Sequence, residues 1–442
     1  MKRISYALLI ACFLLATFAI LPVSAYTGEA MTDEQAVAAG IVIRIGEPSN
    51  ASSHYFWDLN NACYYFSDVL PDEEVVFTLI NDTTSAPYTN FISEKGKHWT
   101  IDLNGHTLTF DGADPLMNAA GFTFKNGTIV LNCKKMYIVD GEWNFENVTI
   151  QYSGTDACFD IDTRYGNPSV VLDGVTFNNC PNGYPMFVRG GAGEGAIDID
   201  IIDSTISKTA NFAWGAANNV FYTYGTGTTV NLDIKGSELS VVPTGAVGAD
   251  YCQVLNADEG TTLNVTVDDK STFELASNCA TNMFIGYGAG ATVNLTDNGA
   301  TWKAAAAIMA AGVTLPTATA AAGETIIGYK AGDSIVPNGK TGCQATFDTA
   351  VSFKKVSFTA ADFANVDGAS IRLSDPYGIR FTTNVSKALI DVLGESATYG
   401  TLVIPTELLG NASFTKAVEG VLDIPTAKWA ARPSPTLPCS RG

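Results

Sequence analysis

The chain has 442 residues, of which 46% are hydrophobic and 16% charged, and its formal net charge is −20 at pH 7. Acidic residues outnumber basic ones 45 to 25, so self-repulsion favours solubility and excludes nucleic acid or anionic lipid as an expected partner. Such a charge suits cations or neutral and basic glycans, or it is simply a solvated acidic surface.

Residues 1–25 have the pattern of a secretory signal peptide. Lys2 and Arg3 precede an apolar stretch at residues 6–21, and residues 23–25 end in a small-residue cleavage pattern. The stretch is short for a membrane span, although an uncleaved anchor stays the alternative, and no later segment is apolar enough to cross a bilayer. We therefore expect a secreted or cell-surface protein. Cleavage leaves 23 basic and 45 acidic residues, a net charge of −22.

Residues 26–98 are predicted to form an N-terminal cap and the first strands. Residues 56–69 have roughly helical apolar spacing, and residues 75–80 make a β-rich run. A stacked repeat needs its open end covered, because exposed strand edges invite aggregation. This segment precedes the repeats and is the natural candidate for that cover.

A strand-rich repeat occupies residues 99–323. In each copy a turn residue and a small polar residue precede an apolar anchor, and the anchors recur every 21 to 34 residues. The anchors are Leu108, Ile129, Ile150, Phe177, Ile206, Leu239, Phe273 and Trp302. A repeat of this length predicts a solenoid, in which each unit buries its apolar face against its neighbours.

The later repeats show three strands per unit, separated by turns. In the second strand of each unit, apolar and polar residues alternate, so polar residues of successive units should form outward rows. One such row is predicted to contain Asp198, Asn231, Asn264 and Asn294. Because parallel crossover connections are right-handed, the pattern predicts an all-β fold, a right-handed parallel β-helix solenoid with three strands per coil.

Residues 94–110, together with residues 79–83, resemble the first coil of pectate-lyase-like β-helix proteins of bacterial surfaces. The resemblance covers residues 55–300 and implies the fold and secretion, without implying a lyase. Residues 346–430 are similar to a module of unknown function that is appended to many secreted proteins of Gram-positive gut bacteria.

The C-terminal part differs in composition from the repeats. Residues 303–323 are rich in alanine and threonine and form either a last loose coil or a connector. Residues 324–430 are predicted to be a small, incomplete β-rich module with one helix near residues 387–393. Residues 431–442 are predicted to be an irregular tail, and we expect a truncated gene or a frameshift as its cause.

The cysteines admit two interpretations. Nine are present, and Cys12 lies in the signal peptide. Export allows disulfides, whose pairing the sequence leaves open. Cys133, Cys158 and Cys180 fall near similar places in successive repeats, and the alternative is that they serve as small hydrophobic side chains in the solenoid core.

One cluster carries a catalytic hypothesis. Pectate lyases, to which the resemblance points, combine acidic calcium ligands with a basic proton acceptor on one outer sheet. Because side chains alternate along a strand, Asp160, Asp162 and Arg164 are predicted to share one strand face. Arg189 lies near the first strand of a later repeat. Two such carboxylates can bind Ca²⁺. The alternative is a solvated Asp/Arg cluster, and the lyase hypothesis requires the four groups to be neither scattered nor buried in salt bridges.

No other catalytic pattern is complete. Asp268 and Asp269 are adjacent on a strand and point to opposite faces, so they are not the carboxylate pair of a glycosidase. The glycine-rich residues 190–195 lack the aspartate of a calcium-binding nonapeptide. We therefore do not expect an enzyme and expect no cofactor, with Ca²⁺ as the one candidate.

A binding role has more support. Three tyrosines follow the first strands of their repeats, near Arg189: Tyr222, Tyr224 and Tyr287. A tyrosine ring with its polar hydroxyl group suits the binding of sugars. Tyrosine is also common on β-surfaces through propensity alone. We expect a monomeric structural or adhesive protein that binds polysaccharide or a host-surface glycan, and the alternative is a calcium-dependent polysaccharide lyase.

Overall fold

The protein is described from a computed structural model. The structure describes residues 26–27, 30–59, 61–63, 75–85, 90–92, 98–112, 116–118, 121–179, 183–191, 194–209, 217–242, 251–276, 281–309, 312–332, 334–337, 343–345, 349–359, 365–375, 378–384, 400–403, 422–425 and 436–440. The predicted signal peptide at residues 1–25 and the predicted helix near residues 387–393 lie outside the described residues.

The described part of the chain is all-β, with few helical residues. The helices are α1 (Asp33–Ala38), α2 (Ala306–Met309) and a 3₁₀ turn (Thr163–Tyr165). The strands up to the middle of the chain are β1 (Tyr26–Thr27), β2 (Ile43–Ile45), β3 (His54–Phe56), β4 (Val75–Leu79), β5 (Thr83–Ser85), β6 (Asn90–Ile92), β7 (Trp99–Asp102), β8 (Thr107–Asp111), β9 (Leu116–Asn118), β10 (Gly121–Asn132), β11 (Met136–Ile138), β12 (Glu142–Tyr152), β13 (Ala157–Asp162), β14 (Ser169–Asp173), β15 (Thr176–Asn179), β16 (Tyr184–Arg189), β17 (Ile197–Ile202) and β18 (Thr205–Lys208).

The remaining strands are β19 (Ala217–Tyr224), β20 (Thr229–Lys235), β21 (Glu238–Val241), β22 (Tyr251–Ala257), β23 (Thr262–Val267), β24 (Thr272–Leu275), β25 (Thr281–Tyr287), β26 (Thr292–Asp297), β27 (Thr301–Ala304), β28 (Val313–Leu315), β29 (Glu324–Ala331), β30 (Ser334–Pro337), β31 (Cys343–Ala345), β32 (Val351–Thr359), β33 (Asn365–Arg372), β34 (Gly378–Asn384), β35 (Gly400–Val403), β36 (Leu422–Pro425) and β37 (Thr436–Ser440).

The predicted anchors form one continuous row across parallel strands. Each anchor is paired in register with the anchor of the next repeat, from Leu108 and Ile129 at one end to Phe273 and Trp302 at the other. All of these anchors are buried in the main hydrophobic core. The repeat read from the sequence is therefore the stacking period of the structure, which is that of a parallel β-solenoid.

The predicted polar row is also present. Asp198, Asn231, Asn264 and Asn294 are register partners on β17, β20, β23 and β26. Each asparagine donates from Nδ2 to the side-chain oxygen of the preceding member, at 2.8 Å in all three contacts. The amides satisfy one another along the stack and fix the register on the outer face.

A ten-stranded sheet holds the strand set that precedes the glycine-rich turns. Its strands β6, β9, β11, β13, β16, β19, β22, β25 and β28 are parallel, and β31 joins antiparallel to β28. The parallel pairing of β28 with β25 shows that residues 313–315 continue the stack, in agreement with a last coil.

A left-handed backbone residue stands three positions before seven of the eight anchors. These residues are Gly105, Asn126, Asn147, Gly174, Asp203, Gly236 and Gly299, with φ between 45° and 111°. Only glycine, asparagine and aspartate adopt this conformation routinely. The turn chemistry of the sequence motif thus has a direct backbone cause.

Serines follow the left-handed residues in the later repeats and form a buried ladder. The backbone N–H of Ser204 donates to Ser237 Oγ at 3.0 Å, and the N–H of Val175 donates to Ser204 Oγ at 2.9 Å. Ser237 Oγ in turn donates to the carbonyl of Lys235 at 2.8 Å. The small polar residue of the motif is therefore a connector between successive turns.

The core is filled by aromatic and branched side chains. Phe122 packs on Trp143 with ring centroids 5.0 Å apart, and Phe145 packs on Phe159 at 4.8 Å. Cys133 and Cys158 are buried within this core, in agreement with a packing role. Cys252, further along the stack, is disulfide-bonded.

Antiparallel strands occupy the edges of the stack at both ends. Near the N-terminus, β2 pairs antiparallel with β4, which itself pairs in parallel with β7. At the other end, β32 pairs antiparallel with β27 and with β29. Hydrogen-bonded strands therefore connect the parts of the chain before and after residue 323, where the composition changes.

The last strands form smaller sheets. Strand β34 pairs with β33 and with β37, and β35 pairs with β36. Strand β37 lies within residues 431–442, for which the sequence predicts an irregular tail. Backbone pairing with an existing strand needs no periodic side-chain pattern, which is why the sequence gives no sign of it.

Candidate functional site

The two aspartates of the catalytic hypothesis lie on β13 in the ten-stranded sheet. Phe159 and Ile161 of this strand belong to the hydrophobic core, so Asp160 and Asp162 alternate onto the opposite side of the sheet. Both carboxylates are nevertheless enclosed, and Asp160 has 0% exposure. A carboxylate this deeply buried requires cationic partners.

Those partners are Lys135 and the predicted residue Arg189. Asp160 accepts a bidentate pair of hydrogen bonds from the Arg189 guanidinium, with 2.7 Å from Nε to Oδ1. Lys135 Nζ lies 2.8 Å from Asp160 Oδ2 and 3.5 Å from Asp156 Oδ2. Asp160 is therefore held between two cations contributed by neighbouring coils.

Arg164 pairs with Asp162 through a local turn. Strand β13 ends at Asp162, and Arg164 lies in the 3₁₀ turn that follows, so it is not on the strand. Its Nε and second guanidinium nitrogen contact the Asp162 carboxylate at 2.9 and 2.6 Å, and its backbone N–H donates to the same group. Arg189 Nε also lies 3.8 Å from Asp162 Oδ2.

The structure thus brings all four predicted residues together in one ion-pair network. Burial would raise the pKa of Asp162, but the hydrogen bonds from Arg164 outweigh it and lower the pKa. Burial would likewise lower the pKa of Lys135, yet its hydrogen bond to Asp160 raises that pKa well above the usual range. Asp162 therefore stays ionised and Lys135 stays protonated, so the network is suited to holding the sheet rather than to exchanging protons.

Calcium binding would compete with these ion pairs. A Ca²⁺ ion takes six to eight oxygen ligands, as a rule from carboxylates that face it freely. Within the described residues, no cluster of three or more His, Cys, Asp or Glu side chains is arranged to hold a metal ion. Asp160 and Asp162 would have to leave Arg189 and Arg164 before they could bind one.

Aromatic rings continue the same side of the sheet. Phe187 pairs in register with Asp160 on one side and with Tyr222 on the other. The Phe187 and Tyr222 rings stack at 5.4 Å and 10°, and Tyr184 stacks on Tyr222 at 5.1 Å. We call the residues Tyr184, Phe187, Arg189, Tyr222 and Tyr224 the aromatic–arginine face.

Tyr224 is the accessible member of this face. It is 53% exposed, pairs in register with Arg189 and stacks on Phe187 at 6.0 Å. The Arg189 guanidinium lies 4.9 Å above the Phe187 ring, a cation–π contact. The ring of Tyr224 therefore presents an open aromatic surface beside a fixed positive charge.

The hydroxyl of Tyr222 is committed within the protein. It donates to Asp258 Oδ2 at 2.9 Å. Burial, followed by this hydrogen bond, raises the pKa of Tyr222. Tyr222 can therefore contact a ligand with the edge of its fixed ring, whereas its hydroxyl group already donates to Asp258.

Tyr287, the third predicted tyrosine, does not join this face. It pairs with Ala257, which pairs with Thr223, whereas Tyr222 pairs with Asn256. Tyr287 is thus one register position away from the rows of Tyr222 and Tyr224. The register partners in its own row, Thr223 and Ala257, are buried, whereas Tyr287 is 40% exposed at the end of β25.

Two other acidic residues considered from the sequence act within turns. Asp268 accepts the backbone N–H of Gly236 at 3.1 Å and that of Ser271 at 2.9 Å. Glu194, in the glycine-rich turn, accepts the N–H of Gly191 at 2.9 Å and a hydrogen bond from Thr163. Both carboxylates stabilise connections between strands.

Sequence reasoning missed Lys135, Tyr184 and Phe187. Lys135 lies before β11, and its partnership with Asp160 depends on the coil length between them. Phe187 lies on β16, and its position opposite Asp160 is visible only in the strand register. An alignment of the coils at their glycine-rich turns is the signal that could have found both.

Comparison with known proteins gives no match: neither a protein-family model, nor a curated protein, nor a solved structure matches this chain. Among the described residues, no helix has the length and apolar character to cross a membrane.

Proposed function

We propose that this protein is an exported adhesive β-helix rod that binds glycans on its aromatic–arginine face. The observation that supports the proposal is the exposed ring of Tyr224, stacked against Phe187 and placed beside Arg189 in an otherwise acidic chain. Sugar rings bind to flat aromatic surfaces through their apolar C–H faces, and a nearby guanidinium supplies hydrogen bonds to hydroxyl groups.

The fold that we propose is more specific than a stack of parallel strands. We infer a right-handed β-helix with three strands per coil, of the pectate-lyase-like type found on bacterial surfaces. In it, residues 26–98 form the N-terminal cap and first strands, residues 99–323 form the helix, and residues 324–430 form the appended module. The signal-peptide pattern of residues 1–25 supports a secreted or surface location. N-terminal sequencing of the secreted protein would test it.

The binding experiment uses two exposed tyrosines of the ten-stranded sheet. Tyr224 is 53% exposed and belongs to the aromatic–arginine face, whereas Tyr251 is 40% exposed at the start of β22. The wild-type chain is screened on immobilised neutral and acidic polysaccharides, including pectin and mucin glycans. For the best binder we expect Tyr224→Ala to raise the dissociation constant about tenfold or more, taking as the measure of one ring contact the roughly 1–3 kcal/mol that a base stacked on an aromatic side chain contributes.

The matched variant Tyr251→Ala should bind as the wild type does. Equal loss in both variants, or unchanged binding in Tyr224→Ala, would contradict the proposal. Circular dichroism of each variant establishes that the fold is retained. Unchanged binding would place the glycan elsewhere on the rod.

The alternative function is a calcium-dependent polysaccharide lyase. Asp160, Asp162, Arg164 and Arg189 converge, but they are paired with one another in a buried network, which is the arrangement that the lyase hypothesis requires to be absent. If the lyase proposal holds, added Ca²⁺ and pectate give unsaturated uronides, and Arg164→Ala abolishes their release. Absence of product with the folded wild-type protein removes the candidate.

A further inference from the structure

Two side-chain amides with open hydrogen-bonding atoms are buried in the ten-stranded sheet. Asn219 of β19 is 0% exposed and Gln253 of β22 is 6% exposed. Within the part of the chain that the structure describes, Asn219 Nδ2, Asn219 Oδ1 and Gln253 Oε1 have no hydrogen-bond partner. An unpaired polar group in a protein interior costs free energy, so three such atoms at neighbouring positions need a cause.

The two amides lie at the same position of successive coils and on the same side of the sheet. Asn219 pairs in register with Gln253. Each is followed by two consecutive residues of the main hydrophobic core, which are Val220 and Phe221 on β19 and Val254 and Leu255 on β22. Since both of these positions face the core, the residues that flank them, such as Asn219 and Tyr222, face away from it. The amides therefore lie on the side of the sheet that carries the aromatic–arginine face.

Amides at paired positions elsewhere in the stack satisfy one another, but these two do not. Asn264 donates from Nδ2 to Asn231 Oδ1 at 2.8 Å across two paired strands. The Gln253 amide lies instead over Gly286 of the following coil, where a Cβ would be 2.2 Å from Gln253 Nε2. Because Gly286 has no side chain, the longer Gln253 reaches away from Asn219, and the pair keeps its open hydrogen-bonding atoms.

The open atoms define the chemistry of the group that satisfies them. Asn219 Nδ2 is a donor, whereas Asn219 Oδ1 and Gln253 Oε1 are acceptors. A carboxylate, sulfate or phosphate has no hydrogen to donate to the two oxygens, and an ammonium group has no lone pair for Nδ2. Water both donates and accepts, as do two adjacent hydroxyl groups of a sugar. Buried water molecules make about three hydrogen bonds as a rule, which matches the number of open atoms.

We propose that Asn219 and Gln253 form a binding site for neutral hydroxyl groups, supplied either by one water molecule or by two adjacent hydroxyls of a sugar at the aromatic–arginine face. In both cases hydroxyl hydrogens bond to Asn219 Oδ1 and Gln253 Oε1, and a hydroxyl oxygen accepts from Asn219 Nδ2. The sugar source rests on the proposed function, whereas the water source does not. Both occupants are uncharged, so the acidic group of a uronate is excluded from this position.

The first measurement is thermal unfolding of the full chain in the absence of sugar. Asn219→Leu keeps the approximate size of the side chain and removes both of its open atoms. If water occupies the site, the variant loses these hydrogen bonds and should melt about 2 °C or more below the wild type. Gln253→Met should act in the same direction, and the two losses should not add, because both side chains contact the same water molecule.

The second measurement is calorimetric titration with glucose, galactose and mannose, each of which carries adjacent hydroxyl groups. If a sugar is the occupant, Asn219→Leu melts no lower than the wild type without sugar, and it raises the dissociation constant of the bound sugar about tenfold. Asn264→Leu is the matched control, because the Asn264 amide bonds to protein atoms in the other large sheet. This control should bind sugar as the wild type does.

The proposal is overturned if Asn219→Leu neither lowers the melting temperature nor weakens the binding of any of the three sugars. It is also overturned if Asn219→Leu and Gln253→Met both melt lower and their losses add, because such losses reflect packing alone. The glycan proposal fails separately, through unchanged glycan binding in Tyr224→Ala. That variant retains Asn219 and Gln253, so their contribution to thermal stability is measured independently.

Discussion

The ion-pair network on β13 makes a quantitative prediction for Arg189→Met. Asp160 is 0% exposed, and Arg189 supplies its bidentate partner, with a side chain that is 22% exposed. The variant keeps the length of the side chain over Phe187 but removes both hydrogen bonds. Lys135 Nζ, 2.8 Å from Asp160, then remains as a cation for that carboxylate.

The expected magnitude follows from the burial of the carboxylate. Removing one member of a buried ion pair costs about 3–5 kcal/mol, because the other charge is left uncompensated. Since Lys135 continues to neutralise Asp160, we expect Arg189→Met to lower the free energy of unfolding by about 2–4 kcal/mol. Arg164→Met is the matched control: its side chain is 47% exposed, and Asp162 keeps the backbone N–H of residue 164 and Arg189 Nε at 3.8 Å, so we expect a smaller loss of about 1–2 kcal/mol.

The assay is equilibrium urea unfolding followed by circular dichroism, approached from the folded and the unfolded states. A double-mutant cycle with Asp160→Asn should give a coupling energy between Arg189 and Asp160. Arg189→Met should lower the free energy of unfolding much less in the Asp160→Asn background, because the partner there is already neutral. The reasoning is refuted if Arg189→Met unfolds within about 0.5 kcal/mol of the wild type, the usual range of surface substitutions. It is also refuted if Arg164→Met is the more destabilising of the two.

Three further predictions concern the turns and the C-terminal end. Ser237→Ala removes the acceptor of a buried N–H in the preceding coil and should cost about 1–3 kcal/mol in urea unfolding. Gly105 has φ +83° and open space where a Cβ would lie, so Gly105→Ala should lower the free energy of unfolding by about 1–2 kcal/mol. Gly236 has φ +60° and a carboxylate oxygen 2.1 Å from the position of a Cβ, so Gly236→Ala should lower it by more. Equal losses in the two variants would contradict the steric argument. Burial would raise the pKa of Glu324, but the hydrogen bond from Lys355 outweighs it and lowers the pKa from 4.5 to about 2. Its ion pair therefore stabilises the fold fully above about pH 4.5, and this contribution is lost as the pH falls towards 2, so Glu324→Gln should flatten the acid limb of thermal stability over that interval.

The stacking of the coils was predictable because it has a local signature. Seven of the eight anchors are preceded by a turn residue with a left-handed backbone, and glycine, asparagine or aspartate at that position is visible in the sequence. The outward row that includes Asn231 and Asn264 follows from alternation along strands of similar length. Both features depend on contacts between residues at the same position of successive coils.

The candidate site was predictable in membership but not in geometry. Asp160, Asp162 and Arg189 could be grouped because they fall in one strand set, yet the sequence contains no sign that Lys135 is the second cation of Asp160. Tyr287 lies one register position away from the rows of Tyr222 and Tyr224 for a related reason. Turn lengths vary between coils, and the sequence does not show how a difference of one residue shifts the register.

The cations of the network on β13 are satisfied within the fold. Lys135 and Arg189 meet buried carboxylates, so each positive charge has a negative partner and little net charge remains to attract an anionic ligand. The ring of Tyr224 lies beside this neutralised network, so the aromatic–arginine face is better suited to a neutral sugar that stacks on the ring than to a polyanion, which the acidic chain repels.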